Sequence, residues 1–354
     1  MEEKWESNVR KVIPYVAGEQ PKNRDVIKLN TNECPYPPAP GVEKLAAQMD
    51  VDALRLYPNT NADALVEVLA EYYHVSPEQV FVGVGSDDVL ATSFLTFFNG
   101  GKPIFFPDVT YSFYDVWADL YHIPYETKAL DENWKINPGD YRQPNGGVIF
   151  PNPNAPTGVF EPLEKVEEII KANRDVVVIV DEAYVDFGGV SAISLLEKYD
   201  NLLVVQTFSK SRSMAGLRIG FCIGSKKLIK YLNDVKFSIN SYTMNRPSQV
   251  LGVEAVRDDA YFKATTAKVV NTRERSKKEL EKLGFTFPDS KTNFIFASHK
   301  TVPAKKIFEA LRERNIFVRY WDKPRISNSL RITVGTDAEM DALFAALREI
   351  LPEA

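Results

Sequence analysis

Short runs of consecutive apolar residues alternate with segments of helical periodicity through the first two thirds of the chain. A period near 3.6 residues predicts helices over 62–73, 111–121 and 162–172, and another beginning near Ser86. The apolar runs predict strands over 80–84, 104–106, 148–150, 176–180, 202–206 and 219–223. Strands without polar alternation are buried on both faces, which is typical of a mainly parallel sheet covered by helices. We therefore expect a large α/β domain.

The pattern changes after about residue 260. A long, highly charged helical stretch around 273–283 precedes an apolar strand at 292–297, a helix over 303–314 and two more strands. The final helix opens with a capping box, in which Thr336 and Glu339 satisfy each other's backbone donors. These elements predict a second, smaller α+β domain. The expected division is an N-terminal arm over 1–29 that joins the small domain, a large domain over 30–260 and a small domain over 261–354.

The segment 30–40 is rich in proline, which removes backbone donors and excludes a regular helix. It is either a domain linker or an arm that faces a ligand. The sequence pattern alone leaves both interpretations open.

Composition narrows the classes of function. The 354 residues contain 43 Lys+Arg and 48 Asp+Glu, a net charge of -5 that gives no basic surface for nucleic acid. No apolar run approaches the roughly 20 residues of a membrane helix, and the N-terminus has no apolar signal region. A cytoplasmic protein with small-molecule partners is expected. Its two cysteines and three histidines are not at metal-ligand spacing, so no metal site is expected and catalysis must use other residue types.

Candidate catalytic groups follow the predicted strands directly. Asp181 comes straight after the run 176–180, and Tyr184 follows three residues later. In an open α/β sheet, ligands bind outside the carboxyl ends of the strands, so Asp181 is directed at the expected site. Taken alone, Asp181 would be a helix cap or surface acid, and Tyr184 a packing residue.

Lys210 follows the predicted strand 202–206, in the segment Thr207-Phe-Ser-Lys-Ser-Arg-Ser-Met-Ala-Gly-Leu-Arg-Ile-Gly220. The hydroxyls of Thr207 and Ser209 and the guanidinium of Arg218 can hold a phosphate, while the lysine amine forms an imine with an aldehyde. An isolated lysine here would be an ordinary solvated side chain. The combination indicates a phosphorylated aldehyde as ligand.

Two glycine- or proline-rich turns add polar groups to the same edge. Asn152-Pro-Asn-Ala-Pro-Thr-Gly158 is a rigid turn that can present the amide of Asn154. Gly83-Val-Gly-Ser-Asp-Asp88 opens a helix, whose first N–H groups and positive dipole end favour an anion. Each turn is weak evidence by itself.

Together these segments resemble the fold-type I aminotransferases that depend on pyridoxal phosphate, in both the order and the spacing of their polar residues. Asn30-Thr-Asn-Glu-Cys-Pro, Leu56-Tyr-Pro, 107–111 and Leu330-Arg-Ile-Thr-Val-Gly extend the similarity over nearly the whole chain, and are similar to the histidinol-phosphate aminotransferase branch in particular. One departure is Ala155, where the family pattern has a second asparagine.

The resemblance implies a role for each cofactor residue. Lys210 would form the imine with pyridoxal 5'-phosphate and move the proton between the substrate Cα and the cofactor C4′. Asp181 would pair with the pyridinium nitrogen, which keeps the ring an electron sink. The remaining implied contacts are Asn154 and Tyr184 to the phenolic oxygen, Tyr111 stacked on the ring, and Ser86, Asp87, Thr207, Ser209 and Arg218 around the phosphate.

The resemblance also implies substrate groups and a partner subunit. Arg319 and Arg331 would bind the anionic group of the substrate, with Tyr15 and Asn32 beside it. Tyr57 would reach the cofactor phosphate of the other subunit, which implies a homodimer with shared active sites. The alternative for each arginine is a surface or interdomain salt bridge.

The leading hypothesis is transfer of the amino group of L-histidinol phosphate to 2-oxoglutarate, giving imidazole acetol phosphate and glutamate, a step of histidine biosynthesis. The aromatic side chains of Tyr320 and Trp321 favour an imidazole or an aromatic substrate. Three alternatives remain: an aromatic amino-acid aminotransferase, a decarboxylase of a phosphorylated amino acid and a non-catalytic cofactor-binding module. An aromatic aminotransferase would not need a phosphate on the donor, and a decarboxylase would release carbon dioxide.

Overall fold

A computed structural model of the chain describes residues 4–22 and 25–352. The outermost residues of the predicted arm and of the predicted small domain, 1–3 and 353–354, lie outside these ranges, as do residues 23–24 within the arm. Of the helices described, none is long and apolar enough to cross a membrane.

Twelve strands run through the described residues. In chain order they are β1 (Ile27–Leu29), β2 (Val80–Gly83), β3 (Ile104–Pro107), β4 (Tyr125–Lys128), β5 (Val148–Pro151), β6 (Val178–Asp181), β7 (Leu202–Thr207), β8 (Gly220–Gly224), β9 (Phe285–Thr286), β10 (Phe294–His299), β11 (Ile316–Tyr320) and β12 (Leu330–Thr333). They form two separate sheets.

Ten α-helices in the same ranges cover these sheets. They are α1 (Pro40–Ala47), α2 (Asp63–Tyr73), α3 (Ser86–Phe97), α4 (Tyr114–Tyr121), α5 (Leu163–Ala172), α6 (Lys226–Ile239), α7 (Arg246–Arg257), α8 (Asp259–Lys282), α9 (Ala304–Glu313) and α10 (Asp337–Ile350). The capping box of Thr336 and Glu339 at the start of α10 is present as predicted.

The large sheet has the strand order β2-β8-β7-β6-β5-β3-β4. Its pairs are parallel except where β8 runs antiparallel between β2 and β7. Successive residues of β6 enter different apolar clusters, since Ile179 packs with α3 and α4 while Val178 and Val180 pack with α5. This burial on both faces is the physical reason for the continuous apolar runs, and the predicted α/β class is confirmed.

The second sheet has the order β1-β11-β12-β10-β9, with β1 parallel to β11 and the other pairs antiparallel. One apolar cluster packs it against α9 and α10. Strand β1 comes from the N-terminal part of the chain, so residues 27–29 join the small sheet. The exact domain boundaries stay a prediction.

The structure differs from the expected elements at two places that bear on the site. The predicted helix 111–121 begins only at Tyr114, because 111–113 form a turn at the carboxyl edge of the large sheet. Strand β4 was not predicted. It is an edge strand on which Tyr125, Glu126 and Thr127 are exposed, so it lacks the apolar run that marks the inner strands.

Candidate active site

A cleft lies where the carboxyl ends of β5, β6 and β7 meet the start of α3. The structure brings together here most of the residues predicted for the cofactor. The side chains that line it are Ser86, Asp87, Tyr111, Pro151, Ala155, Asp181, Ala183, Tyr184, Ser209, Lys210 and Arg218. The parallel register of the three strands explains the convergence, since Pro151 is paired with Asp181 and Asp181 with Val205.

Asp181 is the buried negative charge of this cleft. Only 4% of the residue is exposed, and its carboxylate accepts hydrogen bonds from the Tyr114 hydroxyl at 2.8 Å and from Ala183 N at 3.2 Å. Burial raises the pKa of Asp181 to about 6, although both hydrogen bonds act in the opposite direction. A cation beside this carboxylate would relieve that cost.

Tyr114 was missed in the sequence analysis. Its hydroxyl, fully buried, holds the orientation of the Asp181 carboxylate. The only sequence signal is its position three residues after Tyr111, in an aromatic-rich segment where an additional packing tyrosine would look the same.

Lys210 lies beneath the proline-rich arm. Its Nζ donates to the Thr31 carbonyl oxygen at 3.2 Å and lies 5.8 Å from the centroid of the Tyr184 ring. The next residue of the arm, Asn32, donates from Nδ2 to the Tyr184 hydroxyl at 2.9 Å. The arm therefore faces the cleft, which favours the ligand-facing interpretation over a linker.

Asn32 has a φ of +58°, in the left-handed region that asparagine tolerates better than most residues. Its backbone N donates to Thr333 Oγ1 at 3.0 Å, and its carbonyl oxygen accepts from Asn293 Nδ2 at 2.9 Å. These contacts tie the arm to the small sheet. Asn32 thus bridges the small sheet and the cleft.

A set of donors surrounds the other end of the cleft, which we call the cradle: the first turn of α3, Thr207, Ser209 and Arg218. Thr207 Oγ1 lies 3.0 Å from Ser209 Oγ, and Arg218 donates to Asp87 Oδ2 at 3.0 Å. The first N–H groups of a helix have no partner within that helix, so α3 adds donors of its own. The cradle can hold a dianion, with which the Asp87 carboxylate competes for Arg218.

Two glycines make the cradle possible. Gly85 has a φ of +85°, and a Cβ there would lie 2.5 Å from the Arg218 guanidinium. A Cβ at Gly220 would lie 2.2 Å from both Gly85 C and Ser86 N. Strand β8 can therefore begin directly against the turn that opens α3.

Asn154 is fixed in the turn after β5. Its Nδ2 donates to the Val109 carbonyl oxygen at 3.0 Å and to Thr157 Oγ1 at 2.9 Å. Its Oδ1 is buried without a partner within the residues the structure describes. A buried polar atom of this kind is costly, so the turn favours a bound group that contributes a hydrogen bond. The neighbouring Ala155 lines the cleft without disturbing these contacts.

Aromatic rings close one side of the cleft. The Tyr111 hydroxyl donates to Asp87 Oδ1 at 2.8 Å. The ring of Tyr15, from the N-terminal arm, stacks on Phe113 with centroids 4.0 Å apart and lies 6.5 Å from Tyr111. Phe113 was not predicted as a site residue. Tyr15 of the N-terminal arm 1–29 is therefore next to Tyr111, the ring predicted to stack on the cofactor.

Arg319 and Arg331 are directly opposite each other on β11 and β12. Arg331 donates to the Asn30 carbonyl oxygen at 3.0 Å, and Arg319 donates to the Val16 carbonyl oxygen at 3.0 Å. Both guanidinium groups contact the Trp321 ring, at 5.2 and 5.1 Å from its centroid.

Like charges directly opposite on a sheet are destabilising. Burial lowers the pKa of Arg331, and neither arginine takes part in an ion pair within residues 4–22 and 25–352. The pair is therefore an uncompensated positive site, suited to a dianion.

Tyr57 lies away from the cleft of its own chain. Its side chain is 77% exposed, and its ring stacks on Tyr242 with centroids 4.4 Å apart. This position leaves it free to contact another molecule.

Residues 24–347 match the model of the family described as Aminotransferase class I and II. The chain belongs to this family, as its motifs predicted. It is 51% identical over 347 residues to a histidinol-phosphate aminotransferase of Lactococcus lactis subsp. cremoris (strain MG1363), covering 98% of both chains. A Clostridium botulinum (strain Okra / Type B1) protein of the same name is 49% identical over 351 residues, 99% of both chains.

The fold is likewise similar to solved structures. A histidinol-phosphate aminotransferase from Sinorhizobium meliloti, in complex with pyridoxal-5'-phosphate, superposes with a TM-score of 0.85 at 24% identity and covers 92% of this chain and 91% of that one. This likeness confirms the fold-type I architecture predicted from the motifs.

We expect the substitution Asp181→Asn to stabilise the ligand-free protein against urea. This stabilisation, measured relative to the unsubstituted protein, should be larger at pH 8 than at pH 5. Folding raises the pKa of Asp181 from 3.8 to about 6, so the aspartate protein loses stability as the pH rises through this window. The asparagine variant has no such loss. The difference in unfolding free energy should grow by about 1.4 kcal/mol between pH 5 and pH 8, because pH 5 already lies inside the window. A difference independent of pH would contradict the buried, uncompensated charge.

Proposed function

We propose that this aminotransferase exchanges the amino group of L-histidinol phosphate with 2-oxoglutarate, with pyridoxal 5'-phosphate bound in the cleft around Lys210. The observation that carries the proposal is the uncompensated pair Arg319 and Arg331 on the small sheet, beside a cleft that already has a separate cradle for the cofactor phosphate. Relatives about half identical over almost the full chain bear the name histidinol-phosphate aminotransferase.

The residues present fit the cofactor. The cradle supplies hydroxyls, a guanidinium and a helix N-terminus for its phosphate. The buried carboxylate of Asp181 needs the cation that a pyridinium nitrogen provides, and Asn154 has an unpartnered amide oxygen. Tyr111 and Ala183 lie on the walls between these groups, where a flat ring would be enclosed.

When bound, pyridoxal phosphate supplies an aldehyde that condenses with amines and a protonated ring that accepts electrons from the substrate Cα. Asp181 would pair with the ring nitrogen and favour its protonated form, and Tyr114 holds the Asp181 carboxylate in position. Lys210 Nζ would accept the proton from the substrate Cα and move it to the cofactor C4′. The Tyr184 hydroxyl accepts a hydrogen bond from Asn32 Nδ2 and would donate its own proton to the phenolic oxygen of the cofactor.

Recognition of the donor belongs to the small sheet. Two guanidinium groups match the charge and the number of acceptors of a phosphate monoester, whereas an α-carboxylate needs only one. Tyr15 lies next to Tyr111 at the cleft and Trp321 lies next to both arginines, so these two rings can flank the imidazole. The donor then spans the distance between Lys210 and the arginine pair.

We also propose a cytoplasmic homodimer in which Tyr57 of each subunit completes the cradle of the other. Tyr57 is highly exposed in the single chain, as are its neighbours Leu54 and Leu56. An exposed apolar segment of this kind is typical of a contact surface.

The first test is a single turnover. Protein loaded with one equivalent of pyridoxal phosphate should convert L-histidinol phosphate to one equivalent of the keto product, and turn over further only after 2-oxoglutarate is added. Phenylalanine should react far more slowly, and threonine phosphate should release no carbon dioxide.

Lys210→Ala is the control. It should keep the fold but lose at least about a hundredfold in rate, since it lacks the proton-transfer group. Equal reaction with phenylalanine would instead support the aromatic alternative.

Arg331→Gln and Arg319→Gln should each raise KM for L-histidinol phosphate. A hydrogen bond to a charged group is worth about 1.5–3 kcal/mol, which corresponds to about ten- to a hundredfold. Affinity for pyridoxal phosphate, measured by titration of the cofactor absorbance, should not change. Arg348→Gln, which removes a surface partner of Glu279, is the matched control. Loss of cofactor with an unchanged KM would show that the arginines serve the cofactor instead.

Shared active sites predict complementation between two inactive proteins. A mixed dimer of Lys210→Ala and Tyr57→Ala subunits has one site with both residues intact. A random mixture should therefore recover about a quarter of normal activity, because about half of its dimers are mixed. Mixing Lys210→Ala with the double variant should recover nothing. Full activity of Tyr57→Ala alone would contradict the proposed role of this residue.

A further inference from the structure

The loop 321–329 joins β11 to β12, the two strands that carry Arg319 and Arg331. It leaves the small sheet and packs on the layer of the large sheet. Ile326 is buried in the apolar cluster that contains Val148 and Val178, and Trp321 packs against the same cluster. The loop that connects the two arginines is therefore positioned by the other half of the molecule.

Arg325 makes the polar contacts of this loop. Its guanidinium forms an ion pair with Asp108, donates to the Leu130 carbonyl oxygen at 2.8 Å and lies 5.1 Å from the centroid of the Trp134 ring. The other oxygen of Asp108 accepts from Leu130 N at 3.0 Å, so the carboxylate is held from two sides. The two side chains are only 36% and 23% exposed, which limits screening by water.

The backbone of Arg325 is also held in an unfavourable conformation. Its φ of +67° is in the left-handed region, which is unfavourable for a residue with a long side chain. Such a conformation persists only where surrounding contacts hold it. Here the contacts are those of the Arg325 guanidinium itself and of the buried neighbour Ile326.

Both ends of this ion pair adjoin groups that bind ligands in the proposed function. Asp108 precedes Val109, whose carbonyl oxygen accepts from Asn154, and Tyr111 follows two residues later. At the other end, the loop begins with Trp321, which contacts both substrate arginines. One ion pair thus connects the segment that faces the cofactor with the loop that orients the arginine pair.

We propose that Arg325 and Asp108 form a latch between the two sheets, which positions Arg319 and Arg331 for the phosphate of the donor. The inference rests on the proposed function and deepens it. Arg325 and Asp108 are positioning residues, since their charged groups are bound to each other and to the backbone of Leu130. Their loss should weaken binding of a phosphorylated donor while the chemistry at Lys210 continues.

The test uses the cofactor-loaded enzyme and the variants Arg325→Gln, Arg325→Lys, Asp108→Asn and the Arg325→Gln/Asp108→Asn double variant. Each glutamine or asparagine variant should raise KM for L-histidinol phosphate about tenfold with kcat close to normal, and the double variant should be no worse than either single one. Arg325→Lys should retain part of the affinity. The inhibition constant of L-histidinol, which lacks the phosphate, should not change. Arg314→Gln is the control, because Arg314 is as exposed as Arg325 and forms an ion pair with the exposed Glu349.

Three results would overturn the latch alone. The variants could behave like Arg314→Gln, they could lose equal affinity for L-histidinol and its phosphate, or the effects could add in the double variant, which would show that the two residues act separately. An unsubstituted enzyme that does not react with L-histidinol phosphate would instead reject the proposed function, and the latch with it. The two failures are therefore distinguishable.

Discussion

The burial of the Asp181 carboxylate is the constraint on which the cleft depends. A carboxylate at the end of a central strand, bonded only to neutral donors, destabilises the folded chain unless a cation joins it. Strands on both sides of β6 hold it there, so the protein cannot relieve the cost by moving the side chain to water. The cost is offset by binding, and the site thereby favours a ring that carries a proton over a neutral one.

The small sheet also holds charge that no ion pair in the described residues compensates, and there the charge is positive. Arg319 and Arg331 repel each other across β11 and β12, and both guanidinium groups contact the Trp321 ring, which does not neutralise them. The molecule thus holds a negative site on one sheet and a positive site on the other. In the proposed function the ring nitrogen of the cofactor meets the negative site and the phosphate of the donor meets the positive one. Each charged site therefore binds a different ligand.

The sequence predicted the large sheet, and it predicted residues that the structure brings together in one cleft, because both follow from local patterns. Strands buried on both faces are continuous apolar runs. Asp181 directly follows one of these runs, and Lys210 lies four positions beyond another. Tyr114 and β4 could not be predicted in this way. The role of Tyr114 depends on a carboxylate 67 positions away, and β4 is an edge strand without an apolar run.

The cleft lies at the edge of the large sheet, whereas the arginine pair lies on the small sheet. This separation explains why the loop 321–329 matters. Rigid strands fix each binding group within its own sheet, but only contacts between the sheets fix the distance from Lys210 to the arginine pair. The proline-rich segment 30–40 supplies some of these contacts, through Asn32 and Thr31. The loop 321–329 supplies others, through Arg325, Ile326 and Trp321. Specificity for a donor of a given length is therefore a property of the junction between the sheets, where a small displacement changes the reach between charge sites while leaving each site intact.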